Sequence, residues 1–198
     1  MPCSDFTKLP AGENRNFDLR KEFHQYLDKS SLAQPPGTGI AATSILNGAF
    51  ADILGYGTPV YNVKNYSVGY WGDKSDWKID FTTMDDTADY TAAAAIDPST
   101  PRILRIASFQ ISPNELVAVG TEVKKTQFKL IPMGSMEDFS ASNKQERSAH
   151  PEGEKELFPS WQGKQYLHSM FSVQNTPLDN ARYPDVRWTS AIDVISKI

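Results

Sequence analysis

The sequence predicts an α/β fold built on a partly parallel sheet, and three observations carry that prediction. Segments with strand character alternate with segments of helical periodicity along the whole chain, the order expected of βα units. Helix starts are marked by hydroxyl and acidic residues, at Thr82-Thr83-Met84-Asp85-Asp86 and at Ser112-Pro113-Asn114-Glu115. The stretch Trp77–Asp97 joins a strand, an acidic helix start and an alanine-rich helix in a single block.

The elements follow in order. Met1–Arg15 is polar and contains Pro and Gly, so it reads as loop. Asn16–Lys29 reads as a helix, because Leu19, Phe23, Tyr26 and Leu27 fall at i, i+4, i+7 and i+8 on one stripe, with Asn14 or Asn16 as its cap. Ser30–Gly39 is a loop by composition, and Ile40–Leu46 is a short strand that Gly48 closes. Ala49–Leu54 adds a helical turn before the Gly55–Pro59 turn, and Val60–Val63 and Tyr66–Tyr70 read as short strands. In Trp77–Phe81 the apolar residues alternate with Lys78 and Asp80, which predicts a half-buried strand. The alanine-rich helix then ends near Asp97-Pro98.

Arg102–Ala107 is a strand, and the helix begun at Ser112 runs to about Val123, with Pro113 at its first position and Glu115 completing a capping box. Gln127–Ile131 is a strand, Ser135–Ser148 a polar surface helix, and His150–Gly153 a break. Ser160–Phe171 is an amphipathic helix, Asn175–Trp188 is irregular, and Thr189 caps a last helix over Ser190–Lys197. The whole is read as one domain, 1–198, with 1–110 a core and 111–198 a smaller α/β lobe.

Composition narrows the function classes. Of 198 residues, 39% are hydrophobic and 22% charged, ordinary for a soluble globular protein. The formal net charge of −4 provides no basic footprint for phosphates, so nucleic acid is not an expected partner. No apolar run approaches the roughly 18 residues of a membrane span, and the N-terminal segment has no hydrophobic stretch, so neither a membrane anchor nor a signal peptide is expected. The single cysteine, Cys3, has no partner for an internal disulfide, and a cytoplasmic location is expected.

Several motifs invite a chemical reading. Gly37-Thr38-Gly39-Ile40-Ala41-Ala42 matches G-x-G-x-x-A, but a Pro-rich segment precedes it and a strand-like one follows, the reverse of what a dinucleotide site needs. His24, His150 and His168 lack metal-ligand spacing, and no G-x-S-x-G elbow occurs. Asp85 and Asp86 are read as helix-capping residues in preference to paired catalytic carboxylates. The aromatic set Phe158, Trp161, Tyr166, Phe171, Tyr183 and Trp188 lines an apolar pocket or packs a lobe onto the sheet, with packing preferred.

Taken together, several segments resemble the NmrA-like and isoflavone-reductase-like group of atypical short-chain dehydrogenases. Ser4-Asp5-Phe6 is similar to the end of its "PSDF" strand, and Asn16–Leu27 to the helix that follows. Thr43–Phe50 is similar to its strand and loop beside the nicotinamide, Asp80–Tyr90 to its "TxxDxA" step, and Ser112–Glu115 to its "S-x-x-E" helix start.

The resemblance implies an incomplete Rossmann-like sheet with a C-terminal substrate lobe, NADP as cofactor and a small-molecule substrate. Asn47, Gly48 and Phe50 would line the nicotinamide and substrate pocket. The group's lysine falls at Arg20, with Lys21 one residue later, and an arginine keeps the charge but is a poor proton donor. The group's glycine-rich dinucleotide half is not matched, so the chain is expected to begin after it, as a truncated relative of the NAD(P)H-dependent reductases. Loss of that half would expose a sheet edge to a protein partner or a second copy. The alternative implied role is a non-catalytic, redox-sensing or regulatory binding protein.

Overall fold

The computed structural model describes residues 4–32 and 41–198. Cys3 and most of the Gly37–Ala42 motif lie outside the described residues.

Helix α1 spans Arg15–Leu32. Asn14 is its cap, its Oδ1 accepting from the backbone N–H of Asn16 at 3.1 Å and of Phe17 at 3.3 Å. The expected apolar stripe is corrected here, because Leu19, Phe23 and Tyr26 are 53%, 58% and 65% exposed. The inward face is set instead by Phe17, which meets Phe6 and Tyr166 edge-on at 6.5 and 5.9 Å, and by His24, 4.9 Å from the Phe6 ring. Lys21, between them on that face, donates to the Leu9 carbonyl, so a polar residue occupies a position that a stripe of apolar residues overlooks.

Strand β1 is Ser44–Leu46 and β2 is Ala49–Phe50, followed by a 3-10 helix over Ala51–Tyr56. Val60–Val63 is not a strand. It forms a turn closed by a bridge between Thr58 and Tyr61, and Val60 and Tyr61 are buried as core, not as part of a ladder. Strand β3 is Ser67–Tyr70 and β4 is Ile79–Thr82, which leads into α2, Met84–Ile96. Strands β5, Ile103–Arg105, and β6, Phe109–Ile111, precede α3, Pro113–Lys124. Strand β7, Lys129–Pro132, and α4, Met136–Ala149, follow. A 3-10 helix over Pro151–Lys155, α5 over Gln162–Ser172 and α6 over Ala191–Lys197 complete the chain.

Among the described residues the strands form three small sheets. Strand β1 pairs with β5, β2 with β4 and β3 with β7, all parallel, while β6 runs antiparallel on the far side of β4. Strand β6 was not expected; its three residues carry Gln110 at the centre and no alternation long enough to read. Strand β4 is buried along its whole length, not half-buried, because it is the middle strand of its sheet. Among the described residues β1 has one strand neighbour, so its other edge carries no ladder.

Helix starts follow the expected chemistry, with two corrections. Thr83 caps α2 through its Oγ1, which accepts from Asp86 N at 3.0 Å. The buried Asp86 carboxylate has a different job. It accepts from the Ser108 hydroxyl and, at 2.9 Å each, from the backbone N–H and Oγ1 of Thr189, clasping α2 to the C-terminal segment. Thr189 is therefore not the cap of α6; Ser190 is, in a capping box with Asp193. Helix α3 has the expected capping box of Ser112 and Glu115. No helix among the described residues is long and apolar enough to cross a membrane.

Candidate functional site

A cavity of about 440 Å³ opens between α5, the inner face of α1 and the turn joining β1 to β2. Its floor is Gly48 and Ala49, and Ile53, Thr58 and Phe17 form one wall. Gln162, Gly163, Tyr166, Leu167 and Met170 of α5 line it as well, with the Tyr166 ring against that of Phe17, and Phe158 and Pro159 stand at the rim. No Asp, Glu, Lys, Arg or His lines it among the described residues. Such a surface favours an uncharged, largely apolar molecule, since a buried unpaired charge would be costly.

Gly48 is there because nothing larger fits. Its φ is +62°, and an added Cβ would lie 2.4 Å from the Asp80 carbonyl oxygen and 2.5 Å from Asp80 Cβ. Asp80 therefore packs directly beneath the floor. It is buried, and its carboxylate accepts from Gln110 Nε2 at 2.6 Å and from the Asn175 N–H at 2.7 Å. Burial pushes the Asp80 carboxyl up to about 6, against the two hydrogen bonds that favour its charged form. Asn175 in turn donates from Nδ2 to the carbonyls of Leu46, at 2.8 Å, and Ile106, at 3.1 Å, so this network holds the ends of β1 and β5 together under the cavity.

The residues expected at a site divide into two groups. Gly48 lines the cavity. Asn47, just before it, is buried; its carbonyl accepts from Thr82 Oγ1 at 2.6 Å, and its Nδ2 has no hydrogen-bond partner among the described residues. Phe50 is half-buried in β2, opposite Thr82, and does not reach the cavity wall. Arg20 and Lys21 lie one turn beyond Phe17 on α1 and do not line the cavity either. The Lys21 ammonium is 2.6 Å from the Leu9 carbonyl and 3.4 Å from Asp18 Oδ1.

Most of the aromatic set packs. Trp161 and Phe171 are fully buried, and Tyr183 and Trp188 close on Tyr90 at 4.9 and 5.7 Å. Phe158 and Tyr166 are the two that face the cavity, and the Tyr166 hydroxyl accepts from Asn16 Nδ2 at 3.0 Å. The sequence reading missed Asp80, Gln110, Thr58 and Gln162. The available signal was Asp80 itself, an acid placed between the apolar Ile79 and Phe81.

The segment before α5 is held from α1. The Arg15 guanidinium donates to the carbonyls of Gly153, Glu154 and Glu156 at 3.1, 3.3 and 3.2 Å. The Arg15 and Arg147 guanidinium groups each lie over the Trp161 ring, 5.1 and 5.3 Å from its centroid. Nearby, Asp5 is fully buried and pairs with Arg105 at 2.7 Å and Lys8 at 3.2 Å. Burial works to raise its carboxyl, but Thr7, Arg105 and Lys8 hold it below the usual carboxylate range. No group of acids, histidines and cysteines among the described residues is placed to hold a metal ion.

No family model and no curated protein matches the chain. Solved structures do. AtPrR2 with NADP+ and (+)pinoresinol superposes with a TM-score of 0.68 at 19% identity, over 99% of this chain and 62% of that one. An isoflavone reductase gives 0.66 at 16% identity, over 99% of this chain and 63% of that one. Leucoanthocyanidin reductase from Vitis vinifera, in a ternary complex, gives 0.72 at 12% identity, over 99% and 66%. The chain thus spans about 62% of the length of the first of these structures. At these identities the likeness is one of fold, and it agrees with the resemblance carried by the sequence motifs. This chain has the Rossmann-like α/β fold of the isoflavone-reductase-like reductases, over somewhat less than two thirds of their length.

Proposed function

We propose that this chain is the substrate-side portion of an NADP(H)-dependent reductase, holding a small uncharged organic molecule in the cavity above Gly48. The observation that supports this reading most strongly is the cavity itself: apolar walls, no charged lining residue, and a glycine floor beside Asn47.

The residues present fit one end of the cofactor. Asn47 has a buried amide nitrogen without a partner among the described residues, suited to a carboxamide oxygen, and Gly48 keeps the adjacent floor flat. Among the described residues the phosphate end finds no comparable cradle, because the α-helices that directly follow strands start at Thr83, Ser112 and Ser135, not at a glycine-rich turn. When bound, the nicotinamide supplies a hydride. The protein's own part is to exclude water with Phe17, Ile53, Leu167 and Met170, and to orient the substrate between Gly48 and Tyr166.

A second reading, a dinucleotide-sensing binding protein without chemistry, is supported by the absence of any charged lining residue among the described residues and by Arg20, which stands where the resemblance implies a lysine, lies off the cavity and is a poor proton donor. A pair of measurements on the full chain decides. Calorimetric titration should give reduced nicotinamide mononucleotide and NADPH similar affinities in the millimolar range, and 2′-phospho-ADP-ribose no binding. Micromolar NADPH binding would overturn the one-ended cofactor site. NADPH oxidation with neutral aromatic substrates supports the reductase reading, and nicotinamide binding without oxidation supports the second.

A further inference from the structure

The rim residue Phe158 stands out. It lines the cavity yet is 69% exposed, as is Leu157 beside it. Its backbone neighbours are anchored on both sides: the Glu156 carbonyl accepts from both terminal nitrogens of Arg15 at 3.2 Å, and the Pro159 carbonyl accepts from Gln162 N at 3.0 Å. Only Leu157 and Phe158 lie between these anchors. A large aromatic ring is thus held in water at the mouth of an apolar cavity, on a backbone with little freedom, so rotation about its own side-chain bonds is the motion left to it.

Resting on the reading that the cavity is the ligand site, we propose that Phe158 is its cover: the ring turns onto a bound molecule and selects for one presenting an uncharged, flat apolar face. Two features point this way. The lining carries no charge to complement an ionic ligand. Tyr166 and Phe17 already offer aromatic surface on the wall, so a flat molecule between them and Phe158 gains ring contacts on more than one side. Leu157 shares the exposure but does not line the cavity, which makes it an internal control.

The test uses the full chain and the neutral fluorescent probe N-phenyl-1-naphthylamine, with its charged analogue anilinonaphthalene sulfonate for comparison. The wild type should bind the neutral probe more tightly. Phe158→Ala should weaken that binding by about tenfold, and Leu157→Ala should leave it unchanged. Both positions are exposed, so neither variant should alter the unfolding transition. The cavity reading is checked separately with Gly163→Phe. Gly163 lines the cavity and an added Cβ there meets nothing within 4 Å, so the side chain starts from open space and its ring should obstruct the cavity and abolish binding. If Gly163→Phe abolishes binding while Phe158→Ala does not weaken it, the cover is refuted and the cavity reading stands. Probe binding that survives Gly163→Phe, or a wild type that binds no probe, overturns the cavity reading and the cover with it.

Discussion

Replacing Gly48 by alanine tests the packing beneath the cavity with a single methyl group. The backbone there has φ +62°, where an L-residue with a side chain is disfavoured by about 1–2 kcal/mol. The new Cβ would also lie 2.4 Å from the Asp80 carbonyl oxygen, 2.5 Å from Asp80 Cβ and 2.8 Å from its carbonyl carbon. Those are backbone and near-backbone atoms of a middle strand and cannot swing aside, so overpacking adds about 1–3 kcal/mol. The sum, about 2–5 kcal/mol, is a large part of a typical folding free energy. For a chain of this size each kcal/mol shifts Tm by about 2–4 °C, so Tm should fall by about 4–20 °C. Circular dichroism melting of the wild type and Gly48→Ala at neutral pH measures this directly. A Tm within about 2 °C of wild type would refute the packing argument and place the glycine's role elsewhere.

Three further outcomes are expected. The Asp80 carboxyl is raised from 3.8 to about 6 in the folded protein, so the folded state binds the extra proton between those values. Its contribution to stability is therefore full below about pH 4 and is lost as pH rises through about 6, a change of about 3 kcal/mol. Urea unfolding should show the stability of wild type relative to Asp80→Asn falling by about that amount between about pH 4 and about pH 7.5, and a pH-independent difference would contradict the buried carboxylate. Phe17→Ala should cost about 3–5 kcal/mol in the same assay, while Phe23→Gln on the outer face of α1 should stay within about 0.5 kcal/mol; similar costs would restore the stripe that the sequence suggested. Ser112→Ala removes the hydroxyl half of the α3 capping box and should cost about 1 kcal/mol, with no loss meaning that water caps the helix equally well.

What could be read in the sequence was what is local. The capping box at Ser112 and Glu115 and the strand–cap–helix block around Thr83 each depend on residues within a few positions, and each is present. The fold class followed from the alternation of elements. Helix α1 shows where locality stops: its existence was legible, but its inward face was not, because Lys21 sits against the Leu9 carbonyl while Phe23 and Tyr26 face outward. Asp86 was placed near a helix start, but its partner Thr189 lies over a hundred residues away and no spacing rule announces it. The site was partly legible for the same reason. Asn47 and Gly48 came from a short motif, whereas Asp80, Gln110 and Asn175 belong to three separate segments that only the tertiary fold brings together.

If the nicotinamide end of a cofactor is held at Gly48 on the cavity floor and at the buried Asn47 beside it, nuclear magnetic resonance tests this most directly. In a uniformly ¹⁵N-labelled full chain, the Gly48 backbone amide and the Asn47 side-chain amide are reporters at the two atoms concerned. Titration with reduced nicotinamide mononucleotide should shift both signals together and leave those of Leu19 and Phe23 on the outer face of α1 in place. Shifts confined to α1, or to any face away from the cavity, with Asn47 and Gly48 unmoved, would contradict the account.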